Sequence, residues 1–150
     1  MGSCRDHVKS VNRDGGASLA EFAVVAPILI LLLFGIIEFS WLFATNLDVR
    51  QGAREAVRIA ATDRLANPAT PGMDICNGMR LANRPTTIVS ITRAGDSIGD
   101  AITVTVDAEA ETITGLLDWV IPAGTRLTST VNLRQEQTPT WAQITNVACP

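Results

Sequence analysis

The sequence contains no tyrosine and a single histidine, and aromatic residues make up only 5% of it. That histidine, His7, precedes the main apolar block, so a Ser–His or Cys–His mechanism has no histidine to use beyond the block. Charge is scarce too, at 18%, and the net charge of −3 is mild. Lys and Arg form no run with interleaved aromatics, so the footprint of a nucleic-acid-binding surface is missing. No two of the three cysteines, Cys4, Cys76 and Cys149, lie at metal-ligand spacing, and no phosphate-binding glycine loop is present. No catalytic residue, metal, cofactor or small-molecule substrate is expected.

What the chain does have is apolar residues, 47% of the total, concentrated near the N-terminus. Ala23 to Ile37 (AVVAPILILLLFGII) carries no charge. Phe22 extends the block on one side, and beyond Glu38 and Ser40 it continues through Phe39, Trp41, Leu42, Phe43 and Ala44. A helix over 22–44 is about 34 Å long at ~1.5 Å per residue, enough to cross a hydrocarbon layer of ~30 Å. Pro27 is tolerated in such a helix more readily than in a soluble one. A cleaved secretory signal fits badly, because the block is long and no small-x-small site follows it. Membrane lipid is therefore an expected partner. If the block crosses a membrane, Cys76 and Cys149 share the far, oxidising side and a disulfide is the natural reading, with two buried free thiols as the alternative.

The helical period persists after the block. Val49, Ala53, Ala56, Val57 and Ala60 form one stripe, and Arg50, Arg54 and Arg58 form another on a separate face. The helix is expected to run unbroken to about Ala66 and stop at Asn67-Pro68. Residues 68–85 read as a Pro/Gly/Asn-rich loop with a helical turn around Cys76 to Leu81. The period then becomes two. Ile102, Val104, Val106 and Ala108 alternate with polar residues, as do Leu127, Ser129, Val131 and Leu133, and Thr86 to Arg93 forms a less regular strand. The last fifteen residues read as a loop or tail, held only if Cys149 is bonded. The expected fold is α+β: a long N-terminal helix, its first half transmembrane, packed on a small three-stranded antiparallel sheet.

The most informative segment is Gly16-Ala17-Ser18-Leu19-Ala20-Glu21-Phe22, directly before the block. A glycine and small residues give a protease an unhindered, extended backbone. A carboxylate at the head of a membrane helix is costly unless partnered, and cleavage after Gly16 would create that partner as a new amine on Ala17. A glycine, a glutamate at the fifth mature position and a hydrophobic helix resemble the class III signal of type IV pilins. The longer string GASLAEFAVVAPILILLLFGIIEFSWLF, followed by AREAVRIAA, is similar to the TadE-like proteins of tight-adherence pilus systems. Gly16, Glu21, Phe22, Pro27, Glu38 and the Ala53-Arg54-Glu55-Ala56 stretch fall where that family leads one to expect them; Ser40 departs from an expected glycine.

The resemblance implies cleavage by a prepilin peptidase between Gly16 and Ala17, and a pilin-like helix that acts with other pilins or pseudopilins and the assembly platform. The expected organisation is a leader over 1–16, a long helix over 17–66 and a small extracytoplasmic head over 67–150. The N-terminus is placed on the cytoplasmic side of the bacterial membrane by the processing signal. The positive-inside count is a tie, with Arg5, Lys9 and Arg13 before the block and Arg50, Arg54 and Arg58 after it.

Several residues have plainer readings. Glu38 is either a carboxylate reaching headgroup water or an inter-subunit partner for a basic group. The arginine stripe is a solvated or headgroup-facing surface more readily than a partner-binding one. Asp107, Glu109 and Glu111 read as a solvated face, Trp41 as an interfacial anchor, and Trp119 and Trp141 as packing residues. The expected function is that of a minor pilin or pseudopilin. The alternative is a signal-anchored extracytoplasmic binding domain that never enters a pilus.

Overall fold

The computed structural model describes residues 14–115 and 118–150. The greater part of the expected leader, with Cys4 and His7, lies outside the described residues. A 48-residue helix, α1 (Asp14–Ala61), is followed by a short helix α2 (Pro71–Gly78). The strands are β1 (Ile88–Arg93), β2 (Ala101–Glu109), β3 (Arg126–Arg134) and β4 (Ile144–Ala148). They form one antiparallel sheet in the order β3-β2-β1-β4, the fourth strand returning beside the first in the manner of a Greek key.

Local sequence explains most of these elements. In β2 the residues Ile102, Val104, Val106 and Ala108 are buried, and the polar residues between them are not. Burying each of the larger ones contributes roughly 1.5–3 kcal/mol. Their counterpart is the expected α1 stripe: Val49, Ala53, Ala56, Val57 and Ala60 are all buried, together with Ala61. Small residues on the stripe let the helix lie close across β2 and β3. Val89 and Ile91 of β1 complete the core with Ile75 and Cys76 of α2. Gly52 serves the same closeness, because a Cβ there would stand 2.6 Å from Met79 Cγ.

Three expectations are corrected. The sheet has four strands, not three, because residues 144–148 form β4 at the edge beside β1. β4 shows almost no alternation in burial, and its pairing with β1 is irregular between Val89 and Ile91. Asn146 adopts a left-handed φ of 53°, and its N–H donates to Ser90 Oγ at 2.9 Å. The second correction concerns the end of α1, which lies at Ala61 and not near Ala66. Asp63 takes a left-handed φ of 52°. The Arg64 N–H reaches the Ile59 carbonyl at 3.0 Å and the Asp63 N–H reaches the Ala60 carbonyl at 3.3 Å, the two bonds of a Schellman stop. Third, the first part of the expected 68–85 loop is α2, opened by Pro71, whose ring has the φ that a first helical turn needs.

A disulfide joins Cys76 of α2 to Cys149, just past β4, across 73 residues. The closed loop contributes up to about 4 kcal/mol in the chain-entropy treatment. It ties the edge strand to the helical layer.

Candidate functional site

The upper part of α1 faces the head, but among the described residues its first half packs against nothing. From Leu19 to Phe39 the large apolar side chains are exposed, including Val24, Ile28, Leu31, Leu33 and Ile36. The helix is long and apolar enough to cross a membrane. A core helix of a soluble protein would bury such a surface; among the described residues this one is left uncovered, which fits a single-pass membrane anchor. Pro27 lies inside the helix and is itself exposed.

Gly16, Ala17, Glu21 and Phe22 all lie exposed on the first turns of α1. The Gly16–Ala17 bond is helical here, not extended, and a Cβ at Gly16 would meet nothing within 4 Å. Arg50, Arg54 and Arg58 are exposed on the face of α1 turned away from the core. Arg58 approaches Glu55 at 3.6 Å, a solvated pair one turn apart.

Glu38 is placed differently. It is 0% exposed. Its carboxylate accepts the Ile113 N–H at 2.8 Å, the Thr114 N–H at 3.0 Å and the Thr114 hydroxyl at 2.7 Å. The second glutamate of the apolar helix is therefore an anchor for the β2–β3 loop of its own chain. Charge-assisted bonds of this kind are about twice as strong as neutral ones.

Glu38 is the first of three such clamps along α1 and its end. Asp48 Oδ2 accepts the N–H groups of Arg80, Leu81 and Ala82 at 3.0, 2.7 and 2.9 Å. Asp63 Oδ1 accepts both the N–H and the hydroxyl of Thr140, at 2.9 and 3.0 Å. Beside it the Trp141 indole donates to the Ala60 carbonyl at 3.2 Å and the Glu136 N–H to the Ala61 carbonyl at 3.0 Å. Neither Asp48 nor Asp63 was singled out in the sequence, where a lone aspartate on a helix carries no signal. Their role depends on loops 32 to 77 residues away.

A second contact set surrounds Glu38. The Arg84 guanidinium lies over the Trp41 ring, 5.7 Å from its centre, and forms an ion pair with Glu111. Trp41 is thus half-buried under a cation at the level where α1 meets the head. Asp107 is held by Arg126, whose guanidinium also donates to the Thr86 and Asp107 carbonyls. The acidic strand face is thereby neutralised in part, and among the described residues no group of His, Cys, Asp and Glu could hold a metal ion. Trp141 is buried under Arg93, 4.9 Å from its ring centre, whereas Trp119 is exposed on the β2–β3 loop.

Among the described residues the geometry therefore divides α1 into an exposed apolar half and a clamped half, joined at Glu38 and Trp41. No curated protein and no solved structure matches the chain. The family model described as TadE-like protein matches residues 16–58, so both glutamates, the exposed apolar half and the arginine stripe lie in one TadE-like segment.

Proposed function

We propose that this chain is a TadE-like minor pilin or pseudopilin, a non-catalytic, membrane-anchored component for assembly of a tight-adherence pilus. The observation that carries the reading is the match of residues 16–58, which spans the same helix whose apolar half is exposed among the described residues. Helix–helix contacts with other pilins and lipid are the two environments that such a surface fits. A prepilin peptidase cleaves between Gly16 and Ala17 on the cytoplasmic face. The exposed Glu21 carboxylate then meets an Ala17 amine, its own or a neighbouring subunit's. The Cys76–Cys149 disulfide supports placing the head on the oxidising, extracytoplasmic side.

In this reading Glu21, Pro27 and the arginine stripe serve contacts between subunits, while Glu38 sets how the head sits on the helix. The measurement that tests it is the intact mass and N-terminal sequence of the protein from its native membrane. An N-terminus at Ala17 is expected. A chain that keeps residues 1–16 would point instead to a signal-anchored binding domain outside the pilus. Glu21→Ala is expected to insert normally and fail to assemble; normal pili from that variant would remove the role given to Glu21.

A further inference from the structure

The β2–β3 loop carries an apolar tip that neither the core nor the helix contacts account for. Ile113, Trp119 and Val120 are exposed at 54%, 85% and 52%. A solvated hairpin end is ordinarily polar. A tryptophan almost fully exposed, on a loop that also exposes two branched aliphatic residues, is costly in water.

The position of this tip is set by Glu38. Its carboxylate holds the N–H groups of Ile113 and Thr114, which pins the start of the loop to α1. Thr112 Oγ1 donates to Asp118 Oδ1, and the Asp118 N–H reaches the Gly115 carbonyl at 3.3 Å. These bonds tie Asp118 to the pinned start of the loop, and Trp119 follows directly on it. On α1, the neighbours of Glu38 in sequence are exposed apolar residues: Phe39 at 68% and, one turn on, Phe43 at 59%. The loop tip and the last apolar turns of the helix therefore lie at the same level.

We infer that this loop is a second membrane contact, its Ile113, Trp119 and Val120 side chains seated in the interface of the bilayer that α1 spans; the inference rests on the membrane-anchor reading of α1. Three features favour lipid over a protein partner. The start of the loop is pinned to Glu38, whose sequence neighbours Ile37 and Phe39 belong to the exposed apolar band of the helix. Tryptophan with polar neighbours (here Thr112, Thr114 and Asp118) is the composition of an interfacial belt, where the ring sits among headgroups. Backbone N–H groups near hydrocarbon need acceptors from the protein, since water is scarce there, and Glu38 supplies two of them. The Arg84–Glu111 pair over Trp41 lies at the same junction and suits a headgroup environment. With helix and loop both seated, the head is held at two points and its tilt relative to the membrane is restricted.

The test uses the full chain in phospholipid nanodiscs that contain lipid with a nitroxide label near the headgroup end of the acyl chain. Signals of the three tryptophan indoles and of the Ile113, Leu32 and Ile36 methyl groups are compared with the label oxidised and reduced. The expected result is loss of the Trp119, Trp41, Ile113, Leu32 and Ile36 signals, with the buried Trp141 retained. Loss of the Leu32 and Ile36 signals with Trp119 and Ile113 retained overturns the loop contact while leaving the anchor intact, and assigns the tip to a protein neighbour. Retention of all of them overturns both readings.

Discussion

At the residue scale, three carboxylates hold the molecule together in a way their own helix does not need. Glu38 faces two backbone donors and a hydroxyl with no exposure to water. Replacing it with glutamine turns one acceptor into an NH2 group that meets an N–H donor. Glu38→Gln is expected to cost about 1–3 kcal/mol, the range for losing a charge-assisted bond and stranding a buried donor. Amide exchange at Ile113 and Thr114 is expected to speed up, and unchanged exchange there would remove the anchoring role. Asp48→Ala strands the three N–H groups of residues 80–82, but these lie nearer to water. A smaller loss of ~1–2 kcal/mol is expected from thermal unfolding in detergent. Asp48→Asn should recover part of it, since a carbonyl oxygen can remain in place.

At the element scale, β4 is the weakest part of the sheet. Its burial does not alternate, its pairing with β1 is irregular, and Cys149 immediately follows it. Serine at both Cys76 and Cys149 is expected to lower stability by up to about 4 kcal/mol. Proteases should then cut first between residues 142 and 148, leaving β1, β2 and β3 protected. Simultaneous loss of the whole sheet would mean that β4 is integral to it. The junction of α1 with Met79 offers a second test. A Cβ at Gly52 would collide with Met79 Cγ and Sδ, at 2.6 and 2.8 Å. Gly52→Leu is therefore expected to displace the segment after α2 and destabilise by ~1–3 kcal/mol, the usual cost of overpacking. Gly52→Ala should be milder, because the Met79 side chain can rotate away. The alternating residues of β2 and β3 and the α1 stripe were legible in the sequence because packing follows a local period there. α2 and β4 were not, since a proline-opened short helix and an edge strand leave little pattern in sequence.

At the scale of the whole molecule, an apolar half-helix and a folded head share one continuous rod. Full-length protein is expected to stay with membranes through alkaline extraction. A chain beginning at Phe34 keeps Glu38, Trp41 and all three clamps, and, refolded under oxidising conditions and added to vesicles, should be released by alkaline extraction. A chain beginning at Leu47 loses the Glu38 clamp and should show a labile 110–120 loop under hydrogen exchange, with the sheet still protected. Equal protection of that loop in both truncations would show that the head holds it without the helix.

The sequence by itself determined the elements whose signal is local. The apolar run, the four-residue stripes, the strand alternation and the Gly16 and Glu21 spacing are all read within a few turns or strands of chain. The disulfide also followed from which side of the apolar block its cysteines fall on, although thiols remained an alternative. Tertiary structure alone decided that Glu38 turns inward to its own chain, that Asp48 and Asp63 bind distant loops, and that the terminal segment joins the sheet. Each of these brings together groups 32 to 77 residues apart. A carboxylate looks the same in sequence whether it meets water, a neighbouring subunit or the backbone of a returning loop; only the folded chain selects its donors.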